Sequence, residues 1–304
     1  MQKLTENAGN NGINELKEGP NKLAERMAMI RAGESKLPED ERVCYDPYAA
    51  YFVGPELGKL LAINPQQRKA IIAKLEQGMP GLTNSVIARA RYFDDTVKKA
   101  VADGLEQLVI LGAGYDTRPY RIECIGSVKV FEVDQPDTIA VKEDKIMEIF
   151  GSVPDHVTYV PIDFNAERLD RRLLECGYKL SKKTLFTLEG LTMYLDPDVV
   201  DEILEFILYN SGKGSAVVFD YGRVYSENTS SGYREESQAT RKFVENQGDT
   251  VKFGVTGTVE TFLAKRGFQN IRNMTDKDYK KAYFTGKNIS RSVSSLLWFA
   301  YGEV

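Results

Sequence analysis

The sequence predicts an α/β fold, a mostly parallel sheet with helices packed on both faces. Three observations carry this expectation. Short, unbroken apolar runs recur between residues 108 and 219, as in parallel strands buried on both sides. Helical patterns separate those runs. The first run, Leu108-Val109-Ile110-Leu111, ends directly in Gly112-Ala113-Gly114, and open α/β sheets hold ligands at the carboxyl ends of their strands.

From the N-terminus, residues 1–18 are rich in Asn, Gly and charge, lack periodicity, and are expected to be a disordered tail. Residues 19–304 are expected to be one domain: a helical part (19–103), a ligand-binding core (104–221), a cap insertion (222–257) and a C-terminal helix with strands (258–304). The first helix is expected over 21–31, where Leu23, Met27 and Ile30 share a face, and a short segment starts at Asp46-Pro47. A second helix is expected over 66–77, punctuated by Gly78-Met79-Pro80-Gly81. With Asn84 as the candidate N-cap, a long helix follows over 85–102, carrying Val86, Ala90, Phe93 and Val97 on one face.

Strands are expected at 108–111, 128–133, 157–162, 184–188 and 215–219, with helices at 138–150, 166–175 and 197–209 between them. The insertion is polar, rich in Ser, Gly and Tyr, and longer than an ordinary connection. It is expected to lie over the ligand site, with a helix near 235–245. A helix over 258–266, closed by Gly267, precedes two last strands at 268–274 and 292–301.

With 304 residues, the chain can bury a large core. Its net charge of -4 gives no general attraction to phosphate backbones, so nucleic acid is not an expected partner. The apolar runs are too short to cross a bilayer, and the polar N-terminus lacks the apolar core of a signal peptide. A cytoplasmic protein with no membrane partner is therefore expected. Cys44, Cys124 and Cys176 are odd in number and form no CxxC pair, so reduced thiols are expected. The single histidine, His156, argues against a zinc cluster or a Ser-His-Asp triad, and no metal is expected.

The turn Leu111-Gly112-Ala113-Gly114-Tyr115-Asp116-Thr117-Arg118 is the strongest motif. A dinucleotide fingerprint would place a third glycine where Thr117 stands, to bring strand and helix close around a pyrophosphate. Its absence favours a nucleoside cofactor without a diphosphate. The second strand ends in Phe131-Glu132-Val133-Asp134. An acid about 20 residues past the glycines can accept both ribose hydroxyls. Glu132 and Asp134 share a strand face, and Asp134 is preferred because it stands at the tip. Asp163-Phe164 ends the third strand, where an acid can take an adenine amine while a ring packs on the base. Glu189 ends the fourth strand, within a segment that also carries Tyr194. Arg89 and Arg91 lie two apart on the preceding helix and cannot share a face. One is expected to grip a carboxylate and the other to be a surface charge.

The strings ARARYFDD, LGAGYDTR, FEVD, DF and LEGLTMYL, in this order and spacing, resemble the leucine carboxyl methyltransferase family and its bacterial and archaeal relatives. The resemblance spans about residues 46–301, with its weight between Arg89 and Tyr194. It implies a class I methyltransferase sheet of seven strands, the last antiparallel, and S-adenosylmethionine as cofactor. It also implies roles. Arg89 would hold the methionine carboxylate, Gly112, Ala113 and Gly114 would back the cofactor, and Asp134 would bind ribose. Asp163 and Phe164 would form the adenine site, and Glu189 and Tyr194 would lie beside the methionine portion.

Arg118 stands where the eukaryotic enzymes tend to have a neutral residue, as in the microbial branch, and the insertion has no counterpart that can be carried over. The substrate, not the cofactor, is what these departures leave open.

The reaction implied is an in-line attack on the sulfonium methyl group. A carboxylate acceptor needs no general base, whereas a hydroxyl would, and His156 is poorly placed for that role. O-methylation of a carboxylate or other acidic oxygen, on a small molecule or a protein C-terminus, is therefore the expected activity. No catalytic side chain is assigned. Asp220, Tyr221 and Tyr225 follow the fifth strand and are candidates for an acceptor pocket. The competing readings are a catalytically silent S-adenosylmethionine-binding protein and an NAD-dependent oxidoreductase.

Overall fold

Alternation along the buried strands sets the architecture. Leu108 and Ile110 join the core on one side of the sheet, Val109 and Leu111 the core on the other. Every strand residue from Gln107 to Leu111 is buried, so both faces must be covered by helices. The computed structural model describes residues 22–64, 67, 80–164, 166–224, 238 and 250–304. The expected tail, the helices at 66–77 and 235–245, and Tyr225 lie wholly or almost wholly outside these residues.

The described elements are, in order, α1 (Lys22–Ser35), α2 (Pro55–Ala62), α3 (Leu82–Ala102), β1 (Gln107–Leu111), α4 (Arg118–Arg121), β2 (Lys129–Asp134), α5 (Pro136–Phe150), β3 (Val157–Pro161) and α6 (Leu169–Glu175). They continue with β4 (Thr184–Leu188), α7 (Pro197–Tyr209), β5 (Ala216–Tyr221), β6 (Arg223–Val224), β7 (Val255–Thr256), α8 (Val259–Ala264), β8 (Gln269–Met274), α9 (Asp276–Tyr283) and β9 (Trp298–Glu303). Seven strands form one sheet in the order β3-β2-β1-β4-β5-β9-β8. β1 to β5 run parallel, and β9 is antiparallel to both β5 and β8. β6 and β7 form a separate parallel pair.

Local chemistry starts and stops these elements. α4, α5 and α7 begin with proline in the first turn, where its missing N–H leaves no helical bond unmade. α3 and α9 cover one face, with Phe93, Val97 and Tyr279 packed among Leu108, Val130, Leu185 and Val218. α6, α7 and α8 cover the other through Leu173, Ile203, Ile207 and Leu263. Among the described residues, no helix is long and apolar enough to cross a membrane.

Four expectations are corrected. Asn84 does not cap α3, which starts at Leu82 after Gly81. Its side chain instead donates to Ser292 O at 2.6 Å and accepts from Arg291 Nε. The last strand begins at Trp298, not near 292. The residues before it are drawn away toward α3: Ser294 N donates to Ser85 Oγ at 2.8 Å, and the Tyr279 hydroxyl donates to Ser294 O at 2.8 Å. Neither α2 nor α9 was expected. α9 reads DKDYKKAY and buries Tyr279 alone, so it shows almost no apolar stripe. A capping box, Thr275 with Asp278, fixes its start.

Phe299 is fully buried between two rings, 5.4 Å from Tyr92 and 4.9 Å from Tyr279. Phe299→Ala is expected to destabilise the fold by about 3–5 kcal/mol through the cavity it leaves. Tyr279→Phe, which removes only the hydroxyl bonded to Ser85 and Ser294, is expected to lose about 1–2 kcal/mol. Urea unfolding of both variants checks the ranking.

Candidate active site

Strand register assembles the site. Leu111 lies beside Val133 and Leu188, and Leu188 lies beside Phe219. The residues one step further, Gly112, Asp134, Glu189 and Asp220, therefore emerge side by side at the carboxyl ends of β1, β2, β4 and β5. Gly112 turns the chain with φ 67°, a conformation that side chains strain. Ala113 N then donates to Val133 O, and Gly114 N donates to Asp134 Oδ2 at 2.6 Å.

Asp134 Oδ1 accepts from Gln135 N at 2.7 Å. Burial pushes the Asp134 carboxyl above its ordinary value, and these two N–H donors offset part of that. Glu132, the other acid on this strand, lies one step back inside the core. It pairs with Lys142 Nζ at 2.5 Å and accepts the Tyr120 hydroxyl, so it is not a ribose ligand. Lys142 also reaches Ala113 O at 3.4 Å, tying this buried pair to the floor of the glycine turn.

Asp163 is exposed just beyond β3, its N–H donating to Glu167 Oε2, and Phe164 beside it is half-buried against the α6–α7 core. Tyr194 is half-buried in the 3-10 turn Thr192–Tyr194 that follows β4. Helix α1 lies over the glycine turn. A side chain at Gly114 would begin 3.4 Å from Ala24 Cβ, Arg31 Nη2 donates to Tyr115 O at 2.5 Å, and Met27 Sδ lies 3.6 Å from Arg89 Nη2.

Arg89 is buried and pairs with Glu189 at 3.1 Å and Asp220 at 2.8 Å. The backbone of Gly190 packs on its guanidinium, which lies 3.3 Å from where a Cβ would stand. Arg91 is exposed instead, bonded to Asp95 and to Val43 O.

Behind Arg89 runs an unbroken row of buried ion pairs that spacing alone does not reveal. Arg118 bonds Glu189 Oε2 and Asp116 Oδ2, each at 2.6 Å, and Asp94 Oδ1 at 2.7 Å. Arg121 bonds Asp94 at 2.6 Å and approaches Asp46 at 3.8 Å, and Asp46 pairs with Arg31 at 2.9 Å. A readable trace existed in the alternating charges of ARARYFDD and YDTRPYR, but the partners are far apart in sequence.

Burial opposes ionisation of Asp94, Asp116 and Glu189. The surrounding arginines outweigh it: Asp94 and Glu189 are held below their usual values, and Asp116 at about 2. Arg118 is held well above its ordinary value by Asp116, Glu189 and Asp94, against the effect of burial.

Of the acceptor-pocket candidates, Tyr225 lies outside the described residues, and the other two have partners in the fold. Tyr221 is buried in the core, its hydroxyl donating to Asn273 Oδ1 at 2.9 Å. Asp220 is buried and engaged through both oxygens, accepting from Arg89 and from Gly190 N at 2.6 Å. His156 sits before β3, at the opposite end of the sheet, with Nε2 2.9 Å from Pro119 O. Burial pushes the Cys44 thiol far up, which removes it as a nucleophile. All three cysteines are free, and among the described residues no group of His, Cys, Asp and Glu could hold a metal.

The sheet order and the acidic strand tips define a class I methyltransferase fold. A candidate methyltransferase from Thermobifida fusca shares it, with a TM-score of 0.53 at 15% identity over 90% of this chain and 93% of that one. A Streptomyces avermitilis protein does so with a TM-score of 0.55 at 13% identity over 91% and 96%. The leucine carboxyl methyltransferase family model matches residues 24–208, and the chain belongs to that family. It is a methyltransferase with S-adenosylmethionine as methyl donor. A candidate S-adenosyl-L-methionine-dependent methyltransferase of Mycobacteroides abscessus is 29% identical over 85% of this chain and 86% of its own. The Bacillus subtilis protein YktD, similarly named, is 26% identical over 82% and 81%.

The depressed carboxyls of Asp94, Asp116 and Glu189 contribute stability that is present above their unfolded values near pH ~4 and is lost as pH falls through their folded values. Glu132 and Asp134, raised by burial, act in the opposite sense. A variant difference isolates the first effect. Arg121→Gln strips Asp94 of one partner and is expected to destabilise by about 3–5 kcal/mol near neutral pH. Denaturation at stepped pH should show that difference shrinking below about pH 4 as Asp94 takes up its proton.

Proposed function

We propose that the chain methylates a carboxylate, or another acidic oxygen, of a small molecule or a protein C-terminus. The observation that supports this reading is the engagement of the acceptor-pocket candidates and of the single histidine. Among the described residues, Asp220 is locked by Arg89 and Gly190, Tyr221 is in the core, and His156 is at the wrong end of the sheet. An acceptor that arrives already ionised needs none of them.

The strand tips suit the donor. An amino-acid tail needs a cation for its carboxylate and an anion for its ammonium, and Arg89 and Glu189 stand together at that place. The Asp134 carboxylate accepts from Gly114 N, Gln135 N and the Thr138 side chain, and it keeps acceptor capacity for a ribose hydroxyl. Phe164 offers a ring face and Asp163 an acceptor to adenine, while Gly112, Ala113 and Gly114 present bare backbone to the nucleoside. Tyr194 stands beside the tail.

Within the row that ends at Asp220, and with Asp116 beside it, four arginines face five carboxylates, Asp46, Asp94, Asp116, Glu189 and Asp220. The excess negative charge favours a donor that carries one net positive charge over the neutral product left after transfer. The bound sulfonium supplies a methyl group already activated toward displacement. What remains for the protein is alignment and exclusion of water, which can contribute on the order of 7–11 kcal/mol.

Asp134→Ala is expected to weaken S-adenosylmethionine binding by about 1–3 kcal/mol. Arg89→Ala is expected to do likewise and Arg91→Ala to leave affinity unchanged. Isothermal calorimetry tests all three, and the reverse order of the arginines would exchange their roles. Incubation with methyl-labelled S-adenosylmethionine and a fractionated lysate tests the acceptor: a base-labile labelled product is expected, and a base-stable one would exclude a methyl ester.

A further inference from the structure

Arg118 is the most heavily engaged side chain at the site and is absent from the contacts assigned above. Its side chain is 3% exposed. Nε donates to Asp94, Nη1 to both Asp116 and Glu189, and Nη2 to Ala90 O at 3.1 Å, while the guanidinium stacks 5.5 Å from the Phe93 ring centroid. Four of its five N–H donors are thereby committed in a rigid fork.

Glu189 is consequently held at both ends. Oε2 is fixed on Arg118 and Oε1 faces Arg89. In this arrangement the Arg89–Glu189 contact fills the place of an amino-acid zwitterion, with cation and anion already apposed.

We propose that Arg118 is a positioning residue for the cofactor's amino-acid tail, holding Glu189 ionised and oriented so that the tail can replace the Arg89–Glu189 contact. The proposal rests on the assignment of Arg89 and Glu189 to that tail. On binding, the ligand carboxylate takes the Arg89 nitrogen that Glu189 gives up, and the ligand ammonium takes Oε1. Throughout the exchange Glu189 keeps its bond to Arg118, and Arg89 keeps its bond to Asp220. Neither buried ion is left without a counter-charge, which is the state that makes breaking a buried pair unfavourable.

Lysine at 118 keeps the positive charge but is a point donor and cannot span Asp94, Asp116 and Glu189 together.

A purely structural Arg118 would act through Asp116 on the glycine turn, and so on every nucleoside that binds there. A positioning Arg118 acts only on ligands that have the tail. The test therefore compares S-adenosylhomocysteine with 5′-methylthioadenosine, which keeps the nucleoside and lacks the tail. Calorimetric affinities are measured for the wild-type chain, Arg118→Lys, Glu189→Gln and the double variant, with melting temperatures from the same samples. Arg118→Lys is expected to weaken S-adenosylhomocysteine at least tenfold and 5′-methylthioadenosine less than twofold. In the Glu189→Gln background the same change is expected to add less than twofold.

Asp94→Asn, which loosens the guanidinium from behind, is expected to separate the two ligands in the same sense by about threefold. It serves as the measurement if Arg118→Lys does not fold. Equal weakening of both ligands, or a full Arg118→Lys effect persisting in Glu189→Gln, overturns the positioning role while leaving the tail site intact. Unchanged S-adenosylhomocysteine affinity in Glu189→Gln alone overturns the tail site itself.

Discussion

Alternating buried charge is the constraint on which this molecule depends. Arg31, Asp46, Arg121, Asp94, Arg118, Glu189, Arg89 and Asp220 form one continuous row, each ion between two of the other sign except at the ends. The row connects α1 to α4, passes through α3, and finishes on the tips of β4 and β5. Such pairs add little net stability, because desolvation consumes most of the attraction. What they impose is arrangement. A helix displaced by one turn would strand an uncompensated ion in a low dielectric, so each element has one acceptable position.

That arrangement explains why the site lies where it does. The parallel register delivers Gly112, Asp134, Glu189 and Asp220 to one edge, but register alone does not orient side chains. The row does so for Glu189 and Arg89, and the Lys142–Glu132 pair supports the turn from below through Ala113 O. The N-terminal helix completes the enclosure, because Arg31 is bonded both to the row and to the carbonyl of Tyr115 within the turn. Acid stability and the position of α1 are thus linked through one set of charges, which also orients the residues proposed to hold the cofactor's tail.

The central strands β1, β4 and β5 were legible in the sequence because each is a near-continuous apolar run, and a strand buried on both faces needs that composition. The tip residues were legible because strand ends and glycine turns are local features, and Asp134 was separated from Glu132 by its place at the tip. The charged row was not legible. Arg118 and Glu189 are 71 residues apart, and Arg89 and Asp220 are 131 apart, so no window shows them as partners. Tyr221 was misread because a strand-end position does not tell which face its ring takes. The polar helix α9 hid for a different reason, since one buried tyrosine makes no stripe, although Thr275 and Asp278 had the spacing of a capping box.

The most direct test is a crystal structure with S-adenosylhomocysteine bound. The nucleoside is expected against the Gly112 turn, the ribose on Asp134, and the tail carboxylate on Arg89, with Glu189 turned to the ammonium while still bonded to Arg118. A ligand found elsewhere, or a tail that leaves the Arg89–Glu189 contact unbroken, would contradict this placement.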